Sequence, residues 1–238
     1  MTNFLAFHSY DPSALTLAMK PDKKNPSIYY GETMKPLSFV TPAAETRYPR
    51  VTGSGNYVET NPYCPASEDK ASFTLDLWFP GDSDSPNASG WKFLKVIDNI
   101  DDQLLEFVAA NQKRFLGRQN LKMEELRMLQ HRNVKQKDDG FQQLSLSCRK
   151  YYKDSVGNMR ERKPSICDSS GSVISGGCIM PNDIVRATMT SGSVWNVNGK
   201  FGLHWELGDV SLVERPEDNP TMQVNAFNCA LPASVTAP

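Results

Sequence analysis

The hydrophobic positions change period along the chain, and each change marks a different kind of element. Through the first 70 residues, Pro12, Pro21, Pro26, Pro36, Pro42, Pro49, Pro62 and Pro65 alternate with Gly31, Gly53 and Gly55. Between these breakers only short extended pieces fit, such as Leu15 to Lys20, Ile28 to Tyr30 and Leu37 to Val40. From Phe73 to Phe79 the pattern alternates strictly, with Phe73, Leu75, Leu77 and Phe79 on one side and Thr74, Asp76 and Trp78 on the other. That is a strand with one buried face. Beyond the breaker run Pro80 to Pro86 the period becomes helical: Phe93, Val96, Ile97, Ile100, Leu104, Phe107 and Val108 recur every three or four residues. They predict a helix from about Gly90 to Phe115 that stops near Gly117, with Ser89 as N-cap. A shorter helix is expected from Lys122 to His131.

Alternation returns after the turn Asp138-Asp-Gly140, in a strand from Phe141 to Lys150 whose apolar members are Leu144, Leu146 and Cys148. The stretch from 154 to 177 is rich in serine, glycine and charge and reads as a long loop or hairpin tip. Ile184 to Met189 and Ser193 to Val197 alternate again. Asn198-Gly199 then favours a two-residue type I′ hairpin, because both turn residues need positive φ. The following strand sets Phe201, Leu203, Trp205 and Leu207 on one face and Gly202, His204 and Glu206 on the other. Gly208-Asp209 shifts the phase ahead of Val210 and Leu212, the mark of a β-bulge. The prolines after Glu214 predict an extended tail. The organisation is one domain over 1–216 with a helical insertion at about 90–131, then a C-terminal tail over 217–238. The fold class is mainly β with that insertion, α+β overall. Short curled strands with a bulge fit a small Greek-key barrel of the oligonucleotide-binding (OB) kind.

Composition narrows the chemistry. With 238 residues, 39% hydrophobic and 22% charged, the chain can bury a real core yet carries long polar loops. No run approaches the roughly 20 apolar residues of a membrane span, and the N-terminus lacks the basic start and apolar run of a signal peptide. A soluble intracellular protein that does not engage membranes is therefore expected. Five cysteines form no CxxC pair and lie far in sequence from the three histidines, so neither a zinc module nor a disulfide framework is indicated. No phosphate-binding glycine loop, GxSxG elbow or HExxH is present. Asp98, Asp101, Asp102 and Glu106 share one side of the long helix, opposite its apolar stripe, where a solvated acidic face is expected. No catalytic residue, cofactor or metal is assigned.

A net charge of -1 hides a strong asymmetry. Residues 112–163 hold fourteen basic against six acidic residues, +8, and the rest of the chain holds twelve against twenty-one, -9. Such a distribution suits a polyanion held on one side of the molecule. Aromatic residues sit among the cations, the combination that grips phosphates while offering π faces to unpaired bases. Three segments show it: Lys23-Lys24 running into Tyr29-Tyr30, Arg149-Lys-Tyr-Tyr-Lys153, and Trp195 with Lys200 across the hairpin turn. Tyr151 and Tyr152 face opposite ways if the strand continues, and Phe201 fits core packing better than contact with a ligand.

The succession Asp183-Ile-Val-Arg-Ala187, Val194-Trp195, Gly199-Lys-Phe-Gly-Leu203 and Val210-Ser-Leu-Val213 resembles the closing strands of a known family. These are the single-stranded DNA-binding proteins of large nucleocytoplasmic DNA viruses, with protist relatives and, more distantly, OB-fold counterparts in short-tailed phages. Pro36-Leu-Ser-Phe-Val-Thr-Pro42, Phe73-Thr-Leu-Asp-Leu77, the long helix and Asp139-Gly140 follow the same order, so the resemblance runs from about Leu15 to Pro216. It implies a non-enzymatic, sequence-tolerant protein that coats single-stranded DNA in replication, recombination or repair, in the nucleus or at a viral replication site. Replication proteins are the further partners it implies. The phage and bacterial counterparts carry an acidic C-terminal tail, whereas Ala230 to Pro238 carries no charge, so recruitment would fall to other acidic surfaces. On this reading Lys23, Lys24, Arg149, Lys150, Lys153, Arg186 and Lys200 meet phosphates, and Tyr30, Tyr152 and Trp195 stack on bases. Three alternatives stay open: a structural or interaction protein of a virion or replication complex, an RNA-binding OB module, and an OB-containing nuclease that uses Asp98 or Asp101.

Overall fold

The structure is a computed structural model, which describes residues 4–19, 25–32, 35–47, 50–51, 57–58, 72–81, 88–149, 151–153, 156–161, 165–174, 179 and 181–216. The chain opens with a small antiparallel pair, β1 (Leu15–Ala18) and β2 (Ser27–Tyr30). The short strands β3 (Ser38–Val40) and β4 (Ala44–Thr46) follow, then a second pair, β5 (Arg50–Val51) and β6 (Tyr57–Val58). Strand β7 (Ser72–Pro80) leads into helices α1 (Ala88–Ala110), α2 (Gln112–Leu116) and α3 (Met123–Leu129). The chain returns through β8 (Gln130–His131) and β9 (Val134–Gln136) to β10 (Phe141–Arg149). A third pair, β11 (Tyr151–Lys153) and β12 (Met159–Glu161), precedes β13 (Ile166–Cys167) and the two long strands β14 (Ile184–Val197) and β15 (Lys200–Glu214).

Five of these strands close on themselves in the order β4–β7–β10–β15–β14–β4. Numbered along the chain, that is first, second, third, fifth, fourth and back to first, the Greek-key ring of an OB barrel. All its pairings are antiparallel except that of β10 with β15. The expected barrel is therefore present, with the helices inserted between its second and third strands.

The alternating faces behave as the pattern demands. Leu75, Leu77 and Phe79, then Leu144, Leu146 and Cys148, and finally Phe201, Leu203, Trp205 and Leu207 all point into the barrel and are buried. Phe201 is core, as its place in the alternation predicts. Helix α1 closes one side of this core through Phe93, Ile97, Ile100 and Leu104, with the Phe93 ring packed against Phe7, Phe39 and Phe79. Asn198 and Gly199 adopt φ of 53° and 80°, as a type I′ turn requires. The bulge at Gly208-Asp209 is also present, since Ala187 faces Val210 while Met189 faces Leu207. A side chain at Gly208 would collide with Thr188 Oγ1, so the bulge needs a glycine.

Three boundaries differ from the sequence reading. Helix α1 begins at Ala88, which places Ser89 inside the first turn rather than at the cap. The long helical pattern breaks at Asn111, and α2 ends on Gly117 at φ 69°. The third helix stops at Leu129, because Gln130 and His131 leave it to pair with Phe201 and Gly202. A register match to a distant strand outweighs local helical preference there. The expected loop over 154–177 contains the β12 arm of a hairpin and the short strand β13. The tail over 217–238 lies outside the described residues. No helix among the described residues is long and apolar enough to cross a membrane.

Candidate nucleic-acid interface

Strands β10 and β15 pair directly at Ser147 and Glu206, and toward the hairpin end they part. The gap is filled by the strap β8–β9: Gln130 and His131 pair with Phe201 and Gly202 of β15, and Val134 to Gln136 pair with Leu144 to Gln142 of β10. Outward-facing residues then fall into one row around the barrel. Glu45 of β4 faces Trp78 of β7, Trp78 faces Gln143, and Gln143 faces Lys135 of the strap. On the other side of the strap, His131 faces Gly202, which faces Trp195 of β14. Adjacent strands lie about 4.8 Å apart, so the row spans several strand widths.

At the hairpin end the Trp195 ring lies 5.7 Å from the His131 ring, tilted by 53°. Gly202 makes this possible, since a Cβ there would stand 2.9 Å from Trp195 Cζ2 and 2.9 Å from the His131 carbonyl oxygen. The indole lies directly over the bare backbone of β15. Lys200 is exposed beside it, and the Arg118 guanidinium reaches the Gly199 turn from the end of α2. Asn196 Nδ2 donates to the Phe115 carbonyl at 2.7 Å, and Phe115 packs edge-on against Phe201, which ties α2 to the hairpin. Burial, reinforced by the positive charges of Lys135 and Lys200, holds the His131 pKa below the ordinary histidine value. At neutral pH its ring is uncharged.

At the other end, Arg47 follows β4 and spreads its guanidinium 3.7 Å over the Phe141 ring and 5.1 Å from the Trp78 centroid. Lys137 Nζ stands 5.2 Å from the same indole. Arg47 is held there by Glu45 at 3.1 Å and Asp139 at 2.6 Å. Two indoles, an imidazole and a set of cations thus share one surface.

Of the residues singled out from sequence, the structure brings Trp195 and Lys200 onto this surface. Arg186 is exposed on β14 well before Trp195, about 30 Å away along the strand. There it lines a separate groove of about 570 Å³ with Phe4, Phe7, His8, Val40 and Pro42. Tyr30 stacks on Tyr10 at 5.7 Å, and its hydroxyl accepts the Asp11 N–H at 2.8 Å, away from the row. Arg149 ends β10, and Tyr152 and Lys153 belong to β11, but their side chains lie outside what is described, as do Lys23, Lys24 and Lys150 entirely.

The acidic side of α1 corrects an expectation. Asp101 is fully buried, not solvated. Its Oδ2 accepts the Asn133 backbone N–H at 2.8 Å and its Oδ1 accepts Asn133 Nδ2 at 2.7 Å. Asp98 and Asp102 hold Arg132 at 3.0 and 2.8 Å. Arg132, counted in the basic middle, is therefore neutralised within the protein. Sequence reasoning also missed Arg47, Trp78, His131, Lys135 and Lys137 as surface partners. The one signal available for them was the outward position of Trp78 on a strand with a single buried face.

No family model matches the chain, and no curated protein matches it. Among solved structures it is similar to gp2.5, a single-stranded DNA binding protein encoded by bacteriophage T7, with TM-score 0.55 and 10% identity over 86% of this chain and 100% of that one. The single-stranded DNA-binding protein from bacteriophage Enc34 scores lower. Its C-terminally truncated form gives TM-score 0.43 at 13% identity, covering 85% of this chain and 96% of that one. Its complex with single-stranded DNA gives 0.42 at 14%, covering 85% and 97%. The resemblance to proteins of large DNA viruses thus finds no matching family, and what this chain shares with the T7 protein is its fold.

Proposed function

We propose that the protein binds single-stranded DNA along the Trp78–Trp195 row, as a non-enzymatic and sequence-tolerant coating protein. The observation that carries this reading is the interleaving on one surface of the Trp78, His131 and Trp195 rings with Lys135, Lys137 and Lys200, Arg47 being already paired to Glu45 and Asp139. Flat rings accept any base by stacking, at about 1–3 kcal/mol per base, and cations between them neutralise the phosphates that join those bases. Nothing in such a row distinguishes one base edge from another, so affinity comes without sequence preference. The Arg149, Lys150, Tyr152 and Lys153 cluster at the far end of β10 serves as a second contact, and replication, recombination or repair is the setting. The bacteriophage T7 protein that resembles this chain in fold is a single-stranded DNA binding protein by name, which agrees with the chemistry of the row.

Fluorescence anisotropy with a labelled oligo-dT of about 30 nucleotides tests the reading, with duplex DNA and matched RNA as competitors. The expected result is binding that weakens steeply with salt, because neutralised phosphates release counterions, and that duplex does not displace. Equal displacement by RNA would move the reading to a general single-strand binder. Absence of binding at low salt overturns it.

A further inference from the structure

The strap β8–β9 is paired to the barrel at its two ends and unpaired at the bend between them. It contributes two short pairings, Gln130–His131 and Val134–Gln136, joined by a bend at Arg132 and Asn133. What holds the bend is α1. Gln130 Nε2 donates to the Asp101 carbonyl at 2.5 Å, Arg132 bridges Asp98 and Asp102, and Asn133 gives both its backbone and side-chain N–H groups to the Asp101 carboxylate. Three of four consecutive residues are thus tied to three residues within two turns of one helix. The fourth, His131, is left facing outward against Trp195.

We infer that Asp101 is a positioning residue for nucleic-acid binding: by clamping the bend of the strap from beneath, it sets His131 and Lys135 between the Trp78 and Trp195 clusters and joins them into one continuous track. This rests on the single-strand-binding reading above. Asp101 itself touches no ligand, being fully buried beneath the bend. Its two oxygens meet two donors of one residue, so the strap is fixed in orientation as well as in place. A single hydrogen bond would leave it free to pivot. Burying a carboxylate without a cation directly on it is costly. Core packing alone would be served as well by an apolar residue at this site, whereas orienting an exposed segment needs directional acceptors. Arg132 adds tension from the side: its ion pairs with Asp98 and Asp102 lie on the edge of the same helix and draw the bend toward α1.

The test uses Asp101→Asn, Lys135→Ala, their double variant and the reciprocal swap Asp101→Asn with Asn133→Asp, all in the full chain. Binding to labelled oligo-dT is followed over a range of salt. Asp101→Asn keeps an acceptor for the Asn133 backbone N–H but sets a donor against Asn133 Nδ2, and it is expected to weaken binding about fivefold and to lower the salt slope by about one phosphate contact, as Lys135→Ala does. The double variant should bind no more weakly than the weaker single variant, because the two changes remove the same contact. In the swap, the new amide accepts the backbone N–H through its oxygen and donates a hydrogen bond from its NH2 to the new carboxylate, so affinity should return to within about twofold of wild type. If the two single losses multiply, or if Asp101→Asn binds with wild-type affinity and slope, the inference fails while the single-strand reading stands. If wild type does not bind oligo-dT, both fail. Should Asp101→Asn not fold, Asn133→Ala removes only the side-chain donor to the Asp101 carboxylate and leaves the backbone one, and it must then show the same reduced slope.

Discussion

Two levels of the same barrel surface carry opposite chemistry. At the upper level, where β10 and β15 pair directly, Ser145 donates to Asp76 at 2.6 Å, Ser147 lies 3.0 Å from His204 Nε2, and Glu206 faces Ser147. At the lower level, on the same strands, the outward residues are Trp78, Lys135, His131 and Trp195. The strands do not differ between the levels; the strap does. It widens the surface by an extra strand and adds His131 and Lys135 to it. Binding chemistry on this barrel is therefore shared: the barrel strands supply Trp78, Trp195 and Lys200, and the segment inserted after α3 fills the space between them.

The sharpest way to break this comparison is to remove the rings. Trp78→Ala and Trp195→Ala should each weaken oligo-dT binding about tenfold, and together about a hundredfold, because the two sites are several strand widths apart and act independently. At the upper level, Ser145→Ala and Ser147→Ala should stay within about twofold of wild type. Anisotropy at one salt concentration, with circular dichroism to confirm folding, reads all of these. A loss for Ser147→Ala equal to that for Trp78→Ala would place the track across the acidic level instead.

The strap's anchor has a signature in pH. Burial, opposed by the Asn133 hydrogen bonds and by Arg132 and aided by Asp98, raises the Asp101 pKa to about 6. The unfolded chain holds an aspartate near 3.9. The folded state therefore keeps the proton better than the unfolded one, and the stability this contributes is complete below about pH 4 and lost as pH rises through 6. Its size is of the order of 2–3 kcal/mol. Urea denaturation between pH 4.5 and 7 should show wild type losing more stability than Asp101→Asn over that range. Parallel curves would mean that the carboxylate does not titrate there.

Close packing under Trp195 gives a smaller effect. Gly202→Ala would push a methyl against the indole and the His131 carbonyl, and such crowding costs about 1–3 kcal/mol. Thermal denaturation should show the loss, and oligo-dT binding should fall with it, since the indole must lift from β15. The same methyl at Gly199, where the nearest group is the flexible Arg118 side chain, would act through its positive φ rather than through Trp195. Unchanged binding by a folded Gly202→Ala variant would show that the indole's seat on the strand is immaterial.

These cases also show what sequence can and cannot carry. The barrel strands were legible because period-two alternation belongs to each strand alone: Phe201 to Leu207 and Leu75 to Phe79 declare their buried sides without reference to partners. The hairpin and the bulge were legible because Asn198-Gly199 and Gly208 are demanded by local backbone geometry. The row was not, because Arg47, Trp78, Lys135 and Trp195 come from four distant segments and meet only through register. Arg186 and Trp195 show the reverse. They are close in sequence and share a strand, yet an extended strand carries them to different ends of the barrel. Asp101 looked solvated because a helix pattern reveals which side is apolar but not that a strap will cover part of the polar side.

The finest test of the two levels uses His131, the ring at the centre of the lower one. Its pKa lies below the ordinary histidine value because burial and the nearby charges of Lys135 and Lys200 disfavour the imidazolium. In the free protein it is neutral at pH 7 and takes up its proton at a lower pH than an ordinary histidine does. A phosphate placed on this surface would offset Lys135 and Lys200 and raise that pKa, so binding and protonation favour each other. The ratio of wild-type affinity for oligo-dT to that of His131→Gln should therefore rise about two- to threefold as pH falls from 7.5 to 5.5. Asp101 titrates in the same window, but it does so in both proteins, so the difference between their pH profiles belongs to His131. Coincident profiles would mean that the phosphates pass the strap without meeting this ring, and the track would then run over Lys135 and Lys200 alone.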